Sequence, residues 1–211
     1  MSEYESKYQQ DWEDFIKQFA LSQKQVDQFK QYLKLLVAES KKINLTAISS
    51  VSNIIPYHFA DSLMIGEFID FGLYRAICDV GTGGGFPGIP IKIAYPNIRL
   101  LLIEVNHKKI RFLRKVIAQL GLEDVDICDL DWRTFLRKTD YDIDIFFARA
   151  SLRPDELIRA FSPICPYNSS TIIYWASKQW EPSKKELSFI KKQELYTIKN
   201  KKRKFVFLCR S

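Results

Sequence analysis

A glycine-rich turn directly after an apolar run constrains the fold of this chain more than any other feature. The turn reads Asp-Val-Gly-Thr-Gly-Gly-Gly over residues 79–85 and follows Ala76-Ile77-Cys78. Residues without a side chain let a strand turn sharply into a helix and let the backbone approach a ligand closely. The segment predicts a strand–turn–helix unit with a cofactor loop, although a tight connection without a ligand gives the same pattern.

The spacing of the glycines separates two classes of cofactor loop. A dinucleotide loop of the G-x-G-x-x-G type needs its third glycine at 86, where this chain has Phe86. The observed spacing, with Asp79 two residues before Gly81, is typical of the loop that holds S-adenosylmethionine in methyltransferases. We predict that Gly81, Gly83 and Gly85 line this loop. Asp79 then either meets the methionine ammonium group or caps the following turn.

Short apolar runs alternate with helical patterns from residue 75 onward. Alternation of this kind favours parallel strands joined by crossover helices. Residues 193–199 and 204–209 are separated by a short basic turn, so they are predicted to pair as an antiparallel hairpin. The predicted α/β fold is a Rossmann-like, class I methyltransferase sheet. Its other strands are predicted near 76–80, 98–104, 125–129, 142–148 and 170–177, and its helices near 87–95, 107–120, 132–138 and 154–162.

The first 70 residues form an N-terminal helical extension in this prediction, and residues 71–211 form the methyltransferase domain. Apolar residues recur at helical spacing over 12–19, and Ser22 with Gln25 resembles a capping box that opens a second helix. Residues 54–69 are mostly helical in pattern, with Pro56 tolerable only in the first turn.

Composition narrows the class of protein further. No apolar run approaches the roughly 18 residues of a membrane span, and the start lacks a signal-peptide pattern. We therefore expect a cytoplasmic protein that does not enter a membrane, and a monomer. The four cysteines lie far apart, and His58 and His107 are the only histidines, so no metal site is predicted. His58 is expected to be a structural hydrogen-bonding residue.

The positive charge is concentrated near the C-terminus. The net charge is +7, and residues 184–211 alone carry ten Lys or Arg against two Glu. This density suits a polyanion such as nucleic acid, although a solvated turn between two strands explains it equally well. A second basic surface is predicted on the helix that starts at Lys108. The predicted RNA contacts from these two segments are Lys108, Arg111, Lys202, Arg203 and Lys204.

Three further side chains are predicted at the carboxyl ends of strands, where ligands bind in open α/β sheets. Glu104 ends the second strand, 23 positions after Gly81, and is predicted to accept hydrogen bonds from the ribose hydroxyls. Trp132 follows the third strand and either stacks on adenine or packs inside the protein. Arg149 follows the fourth strand, beside the expected methyl donor.

Several motifs along the chain match those of one protein family. They are Asn44-Leu45-Thr46, His58-x-x-Asp61-Ser62, residues 79–90, residues 108–114, Arg149-Ala150 and Arg203-Lys204-Phe205. Together they resemble the RsmG family of small-subunit ribosomal RNA guanine-N7 methyltransferases, also called glucose-inhibited division protein B. The Phe-Pro-Gly-Ile-Pro continuation of the glycine loop is the most specific part of a resemblance that extends over nearly the whole chain.

The resemblance implies S-adenosylmethionine as cofactor and 16S ribosomal RNA, or the small ribosomal subunit, as partner. It further implies cofactor binding at Gly81 and Phe86, adenine contacts at Trp132 and Arg133, and a cofactor or substrate contact at Arg149.

The chain departs from the family pattern at a few positions. Tyr57 replaces an arginine before His58, and residues 131–134 replace an Arg-hydrophobic-Glu-Glu pattern. Lys178 is expected to replace, after a one-residue shift, a lysine that the family places after the fifth strand, and it is a further predicted RNA contact.

Guanine N7 has an in-plane lone pair and no proton, so methyl transfer to it needs no general base. We predict that Arg149 positions the reacting groups and that Arg149→Ala abolishes methylation with the fold intact. One alternative is a methyltransferase of the same fold that acts on a small molecule or a protein. Another is a non-catalytic RNA-binding protein, and a nicotinamide dehydrogenase is disfavoured by Phe86.

Overall fold

Seven strands form one sheet, which a computed structural model describes together with the flanking helices over residues 8–40 and 51–210. The strands are β1 (Ala76–Val80), β2 (Arg99–Ile103), β3 (Val125–Cys128), β4 (Ile145–Arg149), β5 (Thr171–Ser177), β6 (Ile190–Ile198) and β7 (Lys201–Leu208). The α-helices are α1 (Gln9–Gln18), α2 (Gln23–Ser40), α3 (Val51–Ile54), α4 (Asp61–Leu63), α5 (Gly88–Ala94), α6 (His107–Leu120), α7 (Trp132–Lys138), α8 (Pro154–Leu157) and α9 (Lys184–Leu187). A π-helical segment covers Ile55–Ala60, and 3-10 turns cover Met64–Glu67, Phe71–Leu73 and Ile158–Phe161.

The sheet has the strand order β3-β2-β1-β4-β5-β7-β6. The first five strands are parallel to one another, and β7 runs antiparallel to both β5 and β6. The chain reverses direction across the sheet between β1 and β4, which is the switch point where doubly wound sheets bind ligands. The predicted α/β fold with a closing hairpin is confirmed.

The hairpin begins earlier in the chain than its sequence predicts. Lys199 and Asn200 form the turn, and β7 starts at Lys201, so the basic run lies within a strand. Lys199 has a left-handed backbone with φ of +50°. Successive strand residues face opposite sides of a sheet, so the basic side chains are divided between the two faces.

The helical extension matches the predicted pattern in its capping box and in the position of Pro56. Ser22 and Gln25 form the predicted capping box, with the Ser22 N–H donating to Gln25 Oε1 at 2.8 Å and the Gln25 N–H donating to Ser22 Oγ at 3.4 Å. Pro56 follows α3 and is the second residue of the π-helical segment, so it lies in the first turn of that segment. Proline lacks an N–H and clashes with the preceding turn, and the wider π-helical turn accommodates it.

Two hydrophobic clusters lie against the sheet. One joins α1, α2 and the π-helical segment with β1, β2, α5 and α6, and the other joins α7 and α8 with the opposite face. The helical extension therefore shares a core with the sheet, and a domain boundary at residue 70 stays a prediction. Cys78, Cys128 and Cys165 are buried thiols. No helix in the described ranges is long and apolar enough to cross a membrane.

Phe59 is expected to stabilise the contact between the helical extension and the cofactor loop. Its buried ring contacts those of Trp12, Phe29, Tyr32 and Phe86. Phe59→Ala should lower the free energy of unfolding by about 3–5 kcal/mol, because it removes the centre of this aromatic cluster.

Urea denaturation followed by circular dichroism measures this loss. Leu73→Ala is the matched control, since Leu73 is 76% exposed and its truncation should change stability by no more than about 0.5 kcal/mol. Equal denaturation midpoints for the two variants would contradict the prediction.

Candidate active site

The glycine loop follows β1 and takes a backbone path that excludes side chains. Gly81, Gly83 and Gly85 have φ values of +66°, +61° and +101°. A Cβ atom on Gly81 would lie 2.6 Å from the Ser151 Cβ, and one on Gly85 would lie 2.6 Å from the Tyr32 hydroxyl oxygen. The Tyr32 hydroxyl also donates a short hydrogen bond to the Gly84 carbonyl. The glycines thus let the loop pack between the end of β4 and helix α2.

Asp79 is fully buried and braces the two ends of the loop. Its Oδ2 accepts hydrogen bonds from the Thr82 hydroxyl at 2.6 Å and from the Gly88 N–H at 2.8 Å. The capping role predicted for Asp79 is therefore present at the start of α5. Burial raises the pKa of Asp79 to about 6, and the hydrogen bonds from Thr82 and Gly88 limit this rise.

Two buried oxygen atoms near the loop have no hydrogen-bond partner within the described part of the chain. They are Asp79 Oδ1 and Ser151 Oγ, from the ends of the neighbouring strands β1 and β4. Buried polar atoms are rarely left unpaired in native proteins, so these atoms fit a site that a polar ligand completes. An ammonium group is a suitable partner for the free carboxylate oxygen.

Glu104 lies directly after β2 and contacts the glycine loop. Its Oε2 accepts a hydrogen bond from the Gly83 N–H at 3.0 Å, and its Oε1 accepts one from the Asn106 N–H at 2.9 Å. A carboxylate has about four lone-pair sites, so each oxygen keeps capacity for another donor. The position fits the ribose role predicted for Glu104, which stays a prediction.

Trp132 packs inside the protein, which is one of the two roles that its sequence position allows. The ring is buried and stacks on Phe135, and its Nε1–H donates to the Glu156 carbonyl at 3.0 Å. Arg133 forms two hydrogen bonds with the Glu156 carboxylate, which lower the pKa of that carboxyl to about 2. Trp132 is the first residue of α7, and such a position leaves its backbone N–H without an acceptor inside the helix. The adenine contacts expected at Trp132 and Arg133 stay a prediction.

Arg149 points into the protein and not into open space beside a methyl donor. Its side chain is 9% exposed, and Nη1 donates to Asp61 Oδ2 at 3.0 Å and to Ser62 Oγ at 3.3 Å. Nη2 contacts Nδ1 of His58, whose pKa burial lowers to about 2, with help from Arg149 and Arg203. The imidazole is therefore neutral and accepts this hydrogen bond. Both His58 and Arg149 lie against the Phe86 ring, with centroid distances of 4.4 and 5.3 Å.

Asp61 is the centre of this buried network, and its role was missed in the sequence. Besides Arg149, its carboxylate accepts hydrogen bonds from Arg203 Nη1 at 3.0 Å and from the Tyr196 hydroxyl at 2.8 Å. The available signal was the His58-x-x-Asp61-Ser62 motif, but the arginine partners lie 88 and 142 positions away. We refer to Asp61, His58, Arg149, Tyr196 and Arg203 as the Asp61 cluster.

The residues predicted to contact RNA occupy different environments. Lys204 is buried, with its ammonium 3.6 Å from Glu181 and 5.5 Å from the Trp180 ring centroid, so it lies outside the exposed basic surface. Arg203 belongs to the Asp61 cluster. The remaining predicted contacts, Lys108, Arg111, Lys178 and Lys202, are exposed.

The Asn44–Thr46 motif lies outside the described residues. No group of three potential metal ligands occurs in the part of the chain that the structure covers.

Arg149→Ala is expected to destabilise the protein, which corrects the expectation of an intact fold. Removing Arg149 takes away buried hydrogen bonds to Asp61, Ser62 and His58, which together contribute about 3 kcal/mol. Arg75→Ala is the matched control, since its pair with Asp142 is exposed and should contribute less than about 1 kcal/mol. Urea denaturation of both variants measures the difference, and indistinguishable stabilities would refute the structural role of Arg149.

Asp79 is expected to make stability depend on pH. Its pKa is about 6 in the folded protein, against an ordinary value of 3.8, so folding favours the protonated form. The stability contribution of this group therefore falls as pH rises from 4 to 6 and stays low above that range. The free energy of unfolding of Asp79→Asn, measured relative to the wild type, should therefore rise by about 1.5 kcal/mol from pH 5 to pH 8. Denaturation at both pH values tests this, and a constant difference would argue against it.

Two solved structures of similar fold are named as methyltransferases. The human methyltransferase 10 domain containing protein has a TM-score of 0.59 and 15% identity, over 85% of this chain and 96% of that chain. Precorrin-6y C5,15-methyltransferase from Geobacter metallireducens GS-15 has a TM-score of 0.52 and 16% identity, over 79% of this chain and 91% of that chain. At these identities the likeness shows the fold, which is that of class I methyltransferases.

Sequence comparison identifies the family. Two similar curated proteins are named ribosomal RNA small subunit methyltransferase G. The one from Geobacillus sp. (strain WCH70) is 36% identical over 167 residues, covering 78% of this chain and 70% of that protein. The one from Lysinibacillus sphaericus (strain C3-41) is 33% identical over 186 residues, covering 85% and 78%. The family model described as GidB, rRNA small subunit methyltransferase G, matches residues 25–208, and the chain therefore belongs to this family.

Proposed function

We propose that this protein transfers a methyl group from S-adenosylmethionine to N7 of a guanine in 16S ribosomal RNA. The family match over residues 25–208 carries the proposal, because it includes both the glycine loop and the Asp61 cluster. The family name supplies methyl transfer to small-subunit rRNA, and the guanine N7 position comes from the motif resemblance. We further propose a cytoplasmic monomer that acts on 16S rRNA or on the small ribosomal subunit.

The cofactor would lie at the carboxyl edge of β1, β2 and β4. Gly81, Gly83 and Gly85 would bring backbone against it, and the unpaired Oδ1 of Asp79 would accept a hydrogen bond from its ammonium group. Glu104 would hold the ribose hydroxyls while it braces Gly83. When bound, S-adenosylmethionine supplies an electrophilic methyl group next to a sulfonium.

Methyl transfer to N7 needs alignment more than proton transfer. The N7 lone pair lies in the plane of the purine and carries no proton, so no residue of this chain has to act as a general base. Correct orientation of two reacting groups contributes several kcal/mol to a rate enhancement. The Asp61 cluster suits this task because its side chains, apart from the partly exposed Arg203, are buried and are fixed by several mutual hydrogen bonds. It holds the Arg149 guanidinium against the Phe86 ring, at the end of the cofactor loop.

Arg149 would act mainly through position. Its Nη1 already contacts Asp61 and Ser62, and its Nη2 contacts His58, so a two-point grip on guanine O6 and N7 would have to use Nε–H and the second N–H of Nη2. Such a grip would also occupy the lone pair that must react. The proposed role of Arg149 is therefore to hold the cofactor loop through Phe86 and to add positive charge near the site.

Mapping of N7-methylguanine in 16S rRNA tests the proposed function. Ribosomes from cells with and without this gene are compared by mass spectrometry of nuclease fragments, and the gene is then restored. We expect one N7-methylguanine to disappear and to return with the wild-type gene. A restored Gly81→Val variant should fail to return it, because a side chain there overlaps Ser151 and disfavours the left-handed backbone.

Gly121→Val is the matched control, since Gly121 also has a positive φ but a Cβ there meets no atom within 4 Å. If the modification persists without the gene, the RNA assignment is wrong. Purified protein would then be assayed with small molecules and proteins as acceptors, which tests the alternative class of methyltransferase.

A further inference from the structure

The basic start of β7 presents different residues on the two faces of the sheet. Lys201 and Arg203 face the helical extension, where the Lys201 ammonium lies 4.2 Å from the Tyr57 ring centroid and Arg203 pairs with Asp61. Lys204 faces the other side, near Trp180. Alternation along a strand explains this division. Lys201 and Arg203 therefore form a surface of their own with the π-helical segment.

This surface lies at the edge of the sheet that holds the proposed active site. Arg203 is opposite Ser177, the last residue of β5, and Arg149 is opposite Trp175 in the same strand. Both arginines donate to the same atom, Asp61 Oδ2, at 3.0 Å. Arg203 is thus fixed beside Arg149. Arg149 ends β4, which is the neighbour of β1, and the glycine loop follows β1.

Positive charge exceeds negative charge on this surface. Lys201, Arg203 and Arg149 contribute three cations, and the Asp61 carboxylate pairs with the two arginines. His58 is neutral. Arg203 contacts Asp61 through Nη1 and its side chain is 24% exposed, so Nε–H and Nη2 remain as donors toward solvent. A fixed surplus of positive charge with outward donors favours an anionic ligand.

We propose that Lys201 and Arg203 bind a phosphodiester group of the substrate RNA next to the methylated nucleotide. Asp61 acts as a positioning residue that holds Arg203 at a set place relative to Arg149. Arg203 supplies a planar pair of donors, and Lys201 supplies a point charge supported by the Tyr57 ring. The inference rests on the proposed function and adds a specific RNA contact to it.

Single substitutions that each remove one positive charge test the proposal. Lys201→Gln and Arg203→Gln are compared with Arg75→Gln, whose side chain is exposed at the opposite, amino end of β1. The full-length proteins are titrated with small ribosomal subunits that lack the modification, over a range of salt concentrations. S-adenosylmethionine affinity is measured separately by calorimetry, and methylation by incorporation of labelled methyl groups.

We expect Lys201→Gln to weaken subunit binding by about tenfold and to reduce the salt slope by about 1, because one phosphate contact is lost. The KM for subunits should rise in proportion, with little change in kcat. S-adenosylmethionine affinity should stay at the wild-type value. Arg75→Gln should match the wild type in every measurement. Arg203→Gln should resemble Lys201→Gln or have a larger effect, because Asp61 also loses a partner.

A wild-type salt slope and affinity in Lys201→Gln would overturn the proposal, and this variant breaks no ion pair of the described structure. Lower S-adenosylmethionine affinity with unchanged subunit binding would also overturn it, since the anion would then be the carboxylate of the cofactor. Failure of the proposed function has a separate signature. In that case the wild-type protein would not methylate the subunits at all, whatever the variants do to binding.

Discussion

The Asp61 carboxylate is the interaction on which the active-site region depends. It is fully buried, and two guanidinium groups and one tyrosine hydroxyl converge on it from β4, β7 and β6. A buried carboxylate without such partners would be costly, so Asp61 links these three strands to the helical extension. The helical extension is consequently part of the active-site construction and not an accessory layer on the sheet.

The network also reaches the cofactor loop through aromatic contacts. His58 accepts a hydrogen bond from Arg149 and stacks on Phe86, and Phe86 ends the glycine loop. Tyr32 also stacks on Phe86 and donates to the Gly84 carbonyl. The loop is therefore held on one side by α2 and on the other by the Asp61 cluster. Its glycines serve these protein contacts as well as any approach to a ligand.

Sequence patterns predicted the fold because the fold depends on local periodicity. Alternating apolar runs gave the five parallel strands, and the absence of room for a crossover helix gave the hairpin. The site was only partly predictable, because the partners of its polar side chains are remote in the chain. Nothing near Arg149 indicates that Asp61 binds it, and nothing near Trp132 indicates that its indole reaches the Glu156 carbonyl. The basic run resembles a solvated turn because its consecutive residues are charged. In the structure most of it belongs to β7, where successive residues face opposite sides of the sheet.

The chemistry of the proposed reaction explains why the charged groups of the site are placed to position ligands. None of them is placed as a general base. A nucleophile that carries no proton leaves the enzyme with two tasks, to orient two ligands and to bind a polyanion. Orientation benefits from a rigid, buried network, whereas RNA binding benefits from charges that reach solvent. Under the proposed function Asp61 would serve both tasks, because one of its arginines is nearly buried behind the cofactor loop and the other is partly exposed beside it. Its single carboxylate leaves one of the two guanidinium charges uncompensated, so the network that stabilises the fold also carries the surplus positive charge that the proposed RNA contact requires.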